Sequence, residues 1–146
     1  MSKLKWLIGI TLLSLIGGLF VACAAPGQKA WVEVSIDEFN DSQHINQTLE
    51  VQTGETFEVR LGSNPTTGFQ WFEVADIGNI LVVEQLDHVF IGPENEPPLP
   101  PGTPGQEVWT FKALKQGSST IYLEYSRPWE GGEKGEWTFT LDVTVK

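Results

Sequence analysis

The chain is 146 residues long and acidic, with 19 aspartates and glutamates, 9 lysines and arginines, and a formal net charge of −10. That balance excludes a nucleic-acid-binding protein, which needs a basic surface for the phosphate backbone. The length suits one folded domain, and the single cysteine excludes an internal disulfide, so packing alone must stabilise the fold.

The first predicted element in chain order is an export signal. Lys3 and Lys5 precede the uncharged apolar run 7–21, which is shorter than the ~20 residues of a membrane span and typical of a secretory signal. The run leads into Cys23 in a way that resembles a bacterial lipobox, so residues 1–22 are interpreted as a lipoprotein signal peptide. We expect a lipid on Cys23 to anchor the protein to a membrane of the cell envelope, outside the cytoplasm. The alternative is an ordinary cleavage site and soluble secretion.

Residues 23–29 are predicted to form a short tether, and residues 30–146 a domain built of strands. Apolar and polar side chains alternate at 57–61, 121–126 and 137–145, which is the period of half-buried strands. No segment has the pattern of a helix of ordinary length. The sequence therefore predicts an all-β fold, an immunoglobulin-like antiparallel β-sandwich of about eight strands. The other predicted strands are 31–36, 49–52, 69–75, 81–90 and 108–114.

Two connections between predicted strands are too distinctive to be simple turns. Residues 92–105 contain six prolines, which block sheet pairing and favour a stiff, extended surface loop. Residues 126–135 carry an Arg-Pro-Trp sequence followed by a Gly-Gly turn. A large aromatic side chain at a loop tip is costly to leave in water unless a partner covers it. Both loops are therefore candidate binding elements.

The residue types that carry enzymatic chemistry are not arranged for it. His44 and His88 lie far apart, without cysteines or repeated carboxylates around them, and both are expected at the surface rather than on a metal. Cys23 lies at the tether, outside the folded domain, and no nucleophile-elbow, phosphate-loop or dinucleotide motif occurs. We therefore predict a protein that is not an enzyme and that uses no metal or cofactor.

The most informative segment runs from Ser63 to Trp71 and reads Ser-Asn-Pro-Thr-Thr-Gly-Phe-Gln-Trp. Pro65 fixes one backbone angle and Gly68 permits a left-handed one, so we expect a rigid, sharply bent loop with two threonines at its tip. The same pattern is also that of a well-made loop between two strands. Trp71 is expected to be a core residue rather than part of a site.

The segment from Ser63 to Trp71 and the Arg-Pro-Trp sequence at 127–129 together resemble the chagasin family of cysteine protease inhibitors. The resemblance covers the whole predicted domain and implies an immunoglobulin-like sandwich with three loops at one end. It implies that the first loop wedges its threonines into the cleft of a papain-like cysteine protease, and that the tryptophan lies along the primed side of that cleft. The first motif comprises Asn64, Pro65, Thr66, Thr67, Gly68 and Phe69, and the second Arg127, Pro128 and Trp129.

The middle loop departs from the family pattern, which is commonly Gly-x-Gly-Gly. The nearest match is Gly102, Thr103, Pro104 and Gly105, with proline where a glycine is expected. Pro104 has no N–H group and cannot adopt positive φ, so a backbone hydrogen bond to the protease is lost there. The preceding prolines pre-order the loop instead, which reduces the entropy lost on docking. The two effects on affinity oppose each other.

The resemblance predicts a monomeric, reversible, competitive inhibitor that occludes the active-site cleft of papain-like cysteine proteases with three apical loops. Two other classes stay open from the residues alone. One is an envelope lipoprotein that binds carbohydrate or peptide by stacking on Trp129 and Trp137, and it predicts binding without any effect on proteases. The other is a structural or adhesion module, which predicts co-purification with a membrane complex.

Overall fold

The structure is a computed structural model, and it describes residues 29–93 and 100–146. The predicted signal peptide, Cys23 and most of the tether lie outside the described residues, as do positions 94–99 of the proline-rich loop. No helix in the described ranges is long and apolar enough to cross a bilayer. The elements are, in order, β1 Ala30–Val34, α1 Ile36–Asp41, β2 His44–Val51, β3 Thr56–Ser63, a 3-10 turn Pro65–Thr67, β4 Gln70–Trp71, β5 Asp76–Ile77, β6 Val83–Ile91, β7 Gly105–Ala113, β8 Gly117–Ser126 and β9 Trp137–Val145.

These strands form two sheets that enclose one core. The first sheet has the order β1-β3-β7-β6, and the second has the order β2-β9-β8-β4, with β5 also pairing with β8. The predicted all-β, immunoglobulin-like sandwich is confirmed. Two pairings depart from the predicted antiparallel pattern, because β1 runs parallel to β3 and β2 runs parallel to β9. Both exceptions arise because the chain crosses from one sheet to the other between β1 and β2.

That crossing is made by α1, a six-residue helix. Ser35 caps it, since Glu38 N–H donates to Ser35 Oγ at 3.3 Å and Ser35 N–H donates to the Glu38 carboxylate at 2.8 Å. The backbone hydrogen bond from Ser35, with a second from its hydroxyl, lowers the pKa of Glu38 from 4.5. Phe39 is fully buried, with its ring 5.1 Å from that of Trp71 and 5.2 Å from that of Trp137. The helix therefore closes one end of the core.

We call the end closed by α1 the apical end, and the opposite end, where β1 begins, the distal end. β3, β6 and β8 all end at the apical end, and β7 and β9 begin there. Aromatic packing fixes these strand ends, since Trp71 is buried as predicted and its indole N–H donates to the Gly62 carbonyl at 3.0 Å. Tyr125 and Trp137 stack with ring centroids 4.6 Å apart. The loops that leave the apical end therefore start from a rigid base.

Candidate functional site

The described parts of three loops lie side by side at the apical end. The first loop, residues 64–69, joins β3 to β4; the middle loop, residues 92–104, joins β6 to β7; the third loop, residues 127–136, joins β8 to β9. Strand pairing brings them together, because Ser63 lies opposite Gly105 and Gln70 lies opposite Ser126. The structure thus places all the motif residues at one end, with Gly105 as the first residue of β7 rather than in the loop.

The first loop is closed by hydrogen bonds within itself. Asn64 Oδ1 accepts from Thr66 N–H at 3.3 Å and from Thr66 Oγ1 at 2.6 Å, while Thr67 Oγ1 donates to the Asn64 carbonyl at 2.8 Å. Pro65 starts the 3-10 turn, and Gly68 ends it with φ of 80°, a conformation that favours glycine. These bonds and the turn make the loop bent and rigid. Pro65, Thr66 and Thr67 are exposed, so the two threonines lie at its tip.

Asn64 also joins the first loop to its surroundings. Its N–H donates to Tyr125 Oη at 3.0 Å, and its side-chain amide donates to the Gly102 carbonyl at 3.0 Å. In the described part of the middle loop, Thr103 Oγ1 donates to the Pro100 carbonyl at 2.6 Å, which closes a turn around Gly102. The first and middle loops are therefore coupled through one asparagine side chain.

The end of the middle loop fits closely against β6. Pro104 is exposed, whereas Gly105 lies where an added Cβ would be 2.5 Å from the Ile91 carbonyl oxygen and 2.6 Å from the Phe90 ring. Only glycine allows the two strands to approach this closely, which accounts for that part of the motif.

The third loop folds back on itself. Arg127 N–H donates to the Glu133 carbonyl at 2.8 Å, and Gly132 N–H donates to the Trp129 carbonyl at 3.1 Å. The Lys134 ammonium donates to the Trp129 carbonyl at 3.3 Å and also to that of Arg127. These bonds place Trp129 at the tip of the loop, where it is 51% exposed.

Arg127 links the third loop to the first. Its guanidinium carbon lies 4.4 Å from the centre of the half-buried Phe69 ring and 5.9 Å from that of Trp129, and Nη1 pairs with Glu133 at 2.7 Å. The Trp129 indole also approaches Gly68, where an added Cβ would lie 2.8 Å from its Cη2 atom. Phe69 therefore lies beneath the arginine and supports the exposed surface of the two loops.

A buried polar network beneath the loops was not predicted from the sequence. Glu107 is buried in β7, where one carboxylate oxygen accepts from Ser63 Oγ at 2.7 Å and the other lies 2.8 Å from His88 Nε2. His88 stacks on the Trp109 ring at 4.8 Å and its side chain is 17% exposed, so the prediction that both histidines lie at the surface holds for His44 and only in part for His88. The signal in the sequence was Glu107 itself, an acid in the inward register of β7 with Trp109 and Phe111.

The carbohydrate-binding alternative finds less support at this end. Trp137 is buried between Phe39 and Tyr125, so it cannot serve as the stacking platform that the carbohydrate alternative assigned to it. Within residues 29–93 and 100–146, no three histidine, cysteine or acidic side chains are grouped so as to hold a metal ion. The arrangement is that of a rigid binding surface made of loops.

Comparison with known proteins defines the class of the molecule. Residues 50–143 match the family model described as Chagasin family peptidase inhibitor I42, whose members inhibit peptidases and are not enzymes. The chain belongs to the chagasin family. The predicted family and the prediction of a non-enzyme are therefore confirmed.

Individual relatives agree with this assignment. Chagasin of Trypanosoma cruzi is 32% identical over 103 residues, which cover 67% of this chain and 88% of that protein. Amoebiasin-2 of Entamoeba histolytica is 31% identical over 99 residues, or 68% and 77% of the two chains. The crystal structure of the cysteine protease inhibitor EhICP2 from Entamoeba histolytica matches with a TM-score of 0.60 and 26% identity, over 81% of this chain and 97% of that one. PbICP-C, solved in complex with falcipain-2, shares the fold at a TM-score of 0.54 and 18% identity, over 80% and 99% of the chains.

Proposed function

We propose that this protein is a reversible, competitive inhibitor of papain-like cysteine proteases and that its three apical loops occlude the active-site cleft. The observation that carries the proposal is the inward bonding of the first loop. The Asn64 carbonyl accepts from Thr67, the Pro65 carbonyl accepts from Gly68 N–H at 3.1 Å, and the Thr67 carbonyl accepts from Arg127 Nη2 at 3.4 Å. A protease attacks a carbonyl of an extended chain, so a tip bonded in this way fills the cleft without offering a cleavable bond.

Trp129 supplies the flanking anchor in this proposal. Buried tryptophans are over-represented among energetic hot spots, and this one is already held by Arg127 and by the third loop before any partner arrives. Pre-ordering reduces the entropy lost on docking. Together the three loops suit an interface near the ~1,600 Å² of standard inhibitor complexes. The relative solved with falcipain-2 supports a protease as the partner.

The first test compares two tryptophans of nearly equal exposure. Trp129→Ala should raise the inhibition constant for papain about thirtyfold, because losing a hot-spot anchor costs ~2 kcal/mol. Trp31→Ala is the matched control, since Trp31 is 52% exposed but lies in β1, away from the loops, and it should leave inhibition unchanged. A similar loss in both variants would argue against a loop-based interface.

The second test places a charge at the tip of the first loop. Thr67→Arg should weaken inhibition more than Trp129→Ala, because a long charged side chain cannot enter the cleft without losing its water. Thr48→Arg introduces the same side chain at an exposed position of β2 and should have no effect. The proposal fails if the wild-type protein leaves papain fully active at micromolar concentration, or is cleaved as a substrate.

We further propose that the protein is exported and held on a membrane outside the cytoplasm by a lipid on Cys23. The lipobox-like sequence and the isolation of this cysteine support the proposal. Cys23→Ser should move the protein from the membrane fraction to the soluble fraction, or leave the precursor uncleaved. Mass spectrometry of the wild-type protein that finds an unmodified cysteine in a soluble chain would contradict it.

A further inference from the structure

The distal end carries exposed apolar side chains that inhibition does not use. Residues 78–82 join β5 to β6 and residues 114–116 join β7 to β8, and the two loops are adjacent because Leu114 N–H donates to the Val82 carbonyl at 2.8 Å. Ile80 is 69% exposed, Leu81 71% and Leu114 39%. We call these three side chains the distal patch. Contiguous exposed apolar residues commonly mark an interaction surface.

The folded domain is joined to its N-terminal segment at this same end. Ala30 pairs with Phe57 at the distal start of β3, and Lys29 immediately precedes it. Cys23 lies six residues before Lys29, and six residues span at most ~20 Å. If the chain is anchored at Cys23, as proposed above, the distal end stays within about one tether length of the bilayer.

Charge favours the same orientation. Lys115 follows Leu114 directly and both are exposed, so the lysine ammonium can lie among lipid headgroups while the leucine enters the apolar layer. At the opposite, apical end, Arg127 and Lys134 balance Glu130 and Glu133 in the third loop. The helix α1 adds three exposed acids there, Asp37, Glu38 and Asp41, which an anionic leaflet repels. The other exposed charges at the distal end are three lysines and three glutamates, which offset each other: Lys29, Lys112 and Lys146 with Glu50, Glu55 and Glu84.

We propose that the distal patch is a membrane-contacting surface, and that its occupant is the bilayer in which the N-terminal segment is anchored. Ile80, Leu81 and Leu114 insert at the boundary between headgroups and acyl chains, and the three apical loops face away from the membrane. The patch is too small to recruit the protein by itself. It acts because the anchor supplies a high effective concentration, so a weak contact is enough to orient the domain.

The test uses the full chain reconstituted into vesicles of equimolar phosphatidylethanolamine and phosphatidylglycerol. Amide hydrogen exchange is read at residues 114–116 in the wild type and in an Ile80→Asn/Leu81→Asn variant, so that the reporting loop is not itself mutated. We expect exchange there to be about tenfold faster in the variant, because the distal end lifts from the surface. Val74→Asn, at a comparably exposed position between β4 and β5, should exchange like the wild type.

The outcomes separate three claims. A chain that floats with the vesicles but exchanges at 114–116 at the same rate in all variants overturns the distal patch alone. A chain that does not float overturns both the anchor and the patch. Papain inhibition by the vesicle-bound wild type and by the double variant is measured in parallel, and the two should be equal, because the patch lies opposite the loops. Failure of inhibition in both proteins refutes the proposed function without bearing on the patch.

Discussion

Replacing Gly68 by alanine tests whether the first loop holds Trp129 in place. Gly68 has φ of 80°, a left-handed conformation that costs an alanine about 1–2 kcal/mol. The new Cβ would also lie 2.8 Å from Trp129 Cη2, which is too close for an undisturbed contact. That atom is the far end of a half-exposed side chain, so the indole turns away from Gly68 at little cost while the third loop still holds the Trp129 backbone. Stability should therefore fall by the backbone cost alone, while Trp129 leaves its resting position.

Gly54→Ala is the matched control for the backbone cost. Gly54 has φ of 89° in the distal turn before β3, and no atom lies within 4 Å of an added Cβ. Both variants should lose about 3–8 °C in Tm, which leaves each domain folded at 25 °C. The inhibition constant for papain should be unchanged in Gly54→Ala. In Gly68→Ala it should rise roughly five- to thirtyfold, the upper bound being loss of the whole Trp129 anchor.

The reasoning is refuted if the two variants inhibit papain equally well at equal loss of Tm. That result would mean that the resting position of Trp129 is irrelevant to docking. A Gly68→Ala variant that loses far more stability than Gly54→Ala would refute the other half of the argument. It would show that the indole cannot move freely and is part of the packed structure.

Three further predictions concern stability, docking and pH. Glu107→Ala should lower the free energy of unfolding, measured in urea, by ~2–3 kcal/mol, because it leaves the buried Ser63 hydroxyl without its partner. Glu107→Gln keeps an oxygen that accepts from Ser63 and should retain most of the wild-type stability. Arg127→Lys should raise the inhibition constant by about threefold to tenfold with little change in Tm, since lysine lacks the flat guanidinium that covers Phe69. The hydrogen bond from Lys29 lowers the pKa of Glu58 in the folded protein from 4.5. The ionised Glu58 therefore stabilises the fold above pH 4.5, and this stabilisation is lost as the pH falls through the lowered pKa of the folded state. Glu58→Gln should therefore show a shallower loss of stability in an acid titration.

The strands that the sequence predicted well are those with long alternation. β3, β8 and β9 each bury one face against the core, and period two is visible over most of their length. β2 was predicted to begin at Leu49, whereas it begins at His44, because Gln47 interrupts the alternation of Ile45, Leu49 and Val51 on its inward face. The helix α1 is too short to show a helical period. The parallel pairings depend on how that helix crosses between the sheets, which no local pattern encodes.

In the candidate site too, local features were predictable from the sequence and long-range contacts were not. The motif residues predicted the bent first loop and the exposed Trp129, because proline, glycine and asparagine act on their own backbone neighbours. The contacts between loops were not predictable, since the bond from Asn64 to Gly102 and the stacking of Arg127 on Phe69 join distant parts of the chain. Glu107 was visible as an acid among inward positions, but its partners depend on strand register.

The position of β9 between β2 and β8 dictates when the domain can fold. His44 in β2 pairs with Thr138 in β9, 94 residues later, so the second sheet cannot be completed until the last strand has been synthesised. Pairings this far apart in sequence form slowly, because the entropy of closing the chain is lost before any contact is gained. A folding intermediate in which β9 has not yet docked would leave β2 and β8 with unpaired edges, and such edges make a chain prone to aggregation.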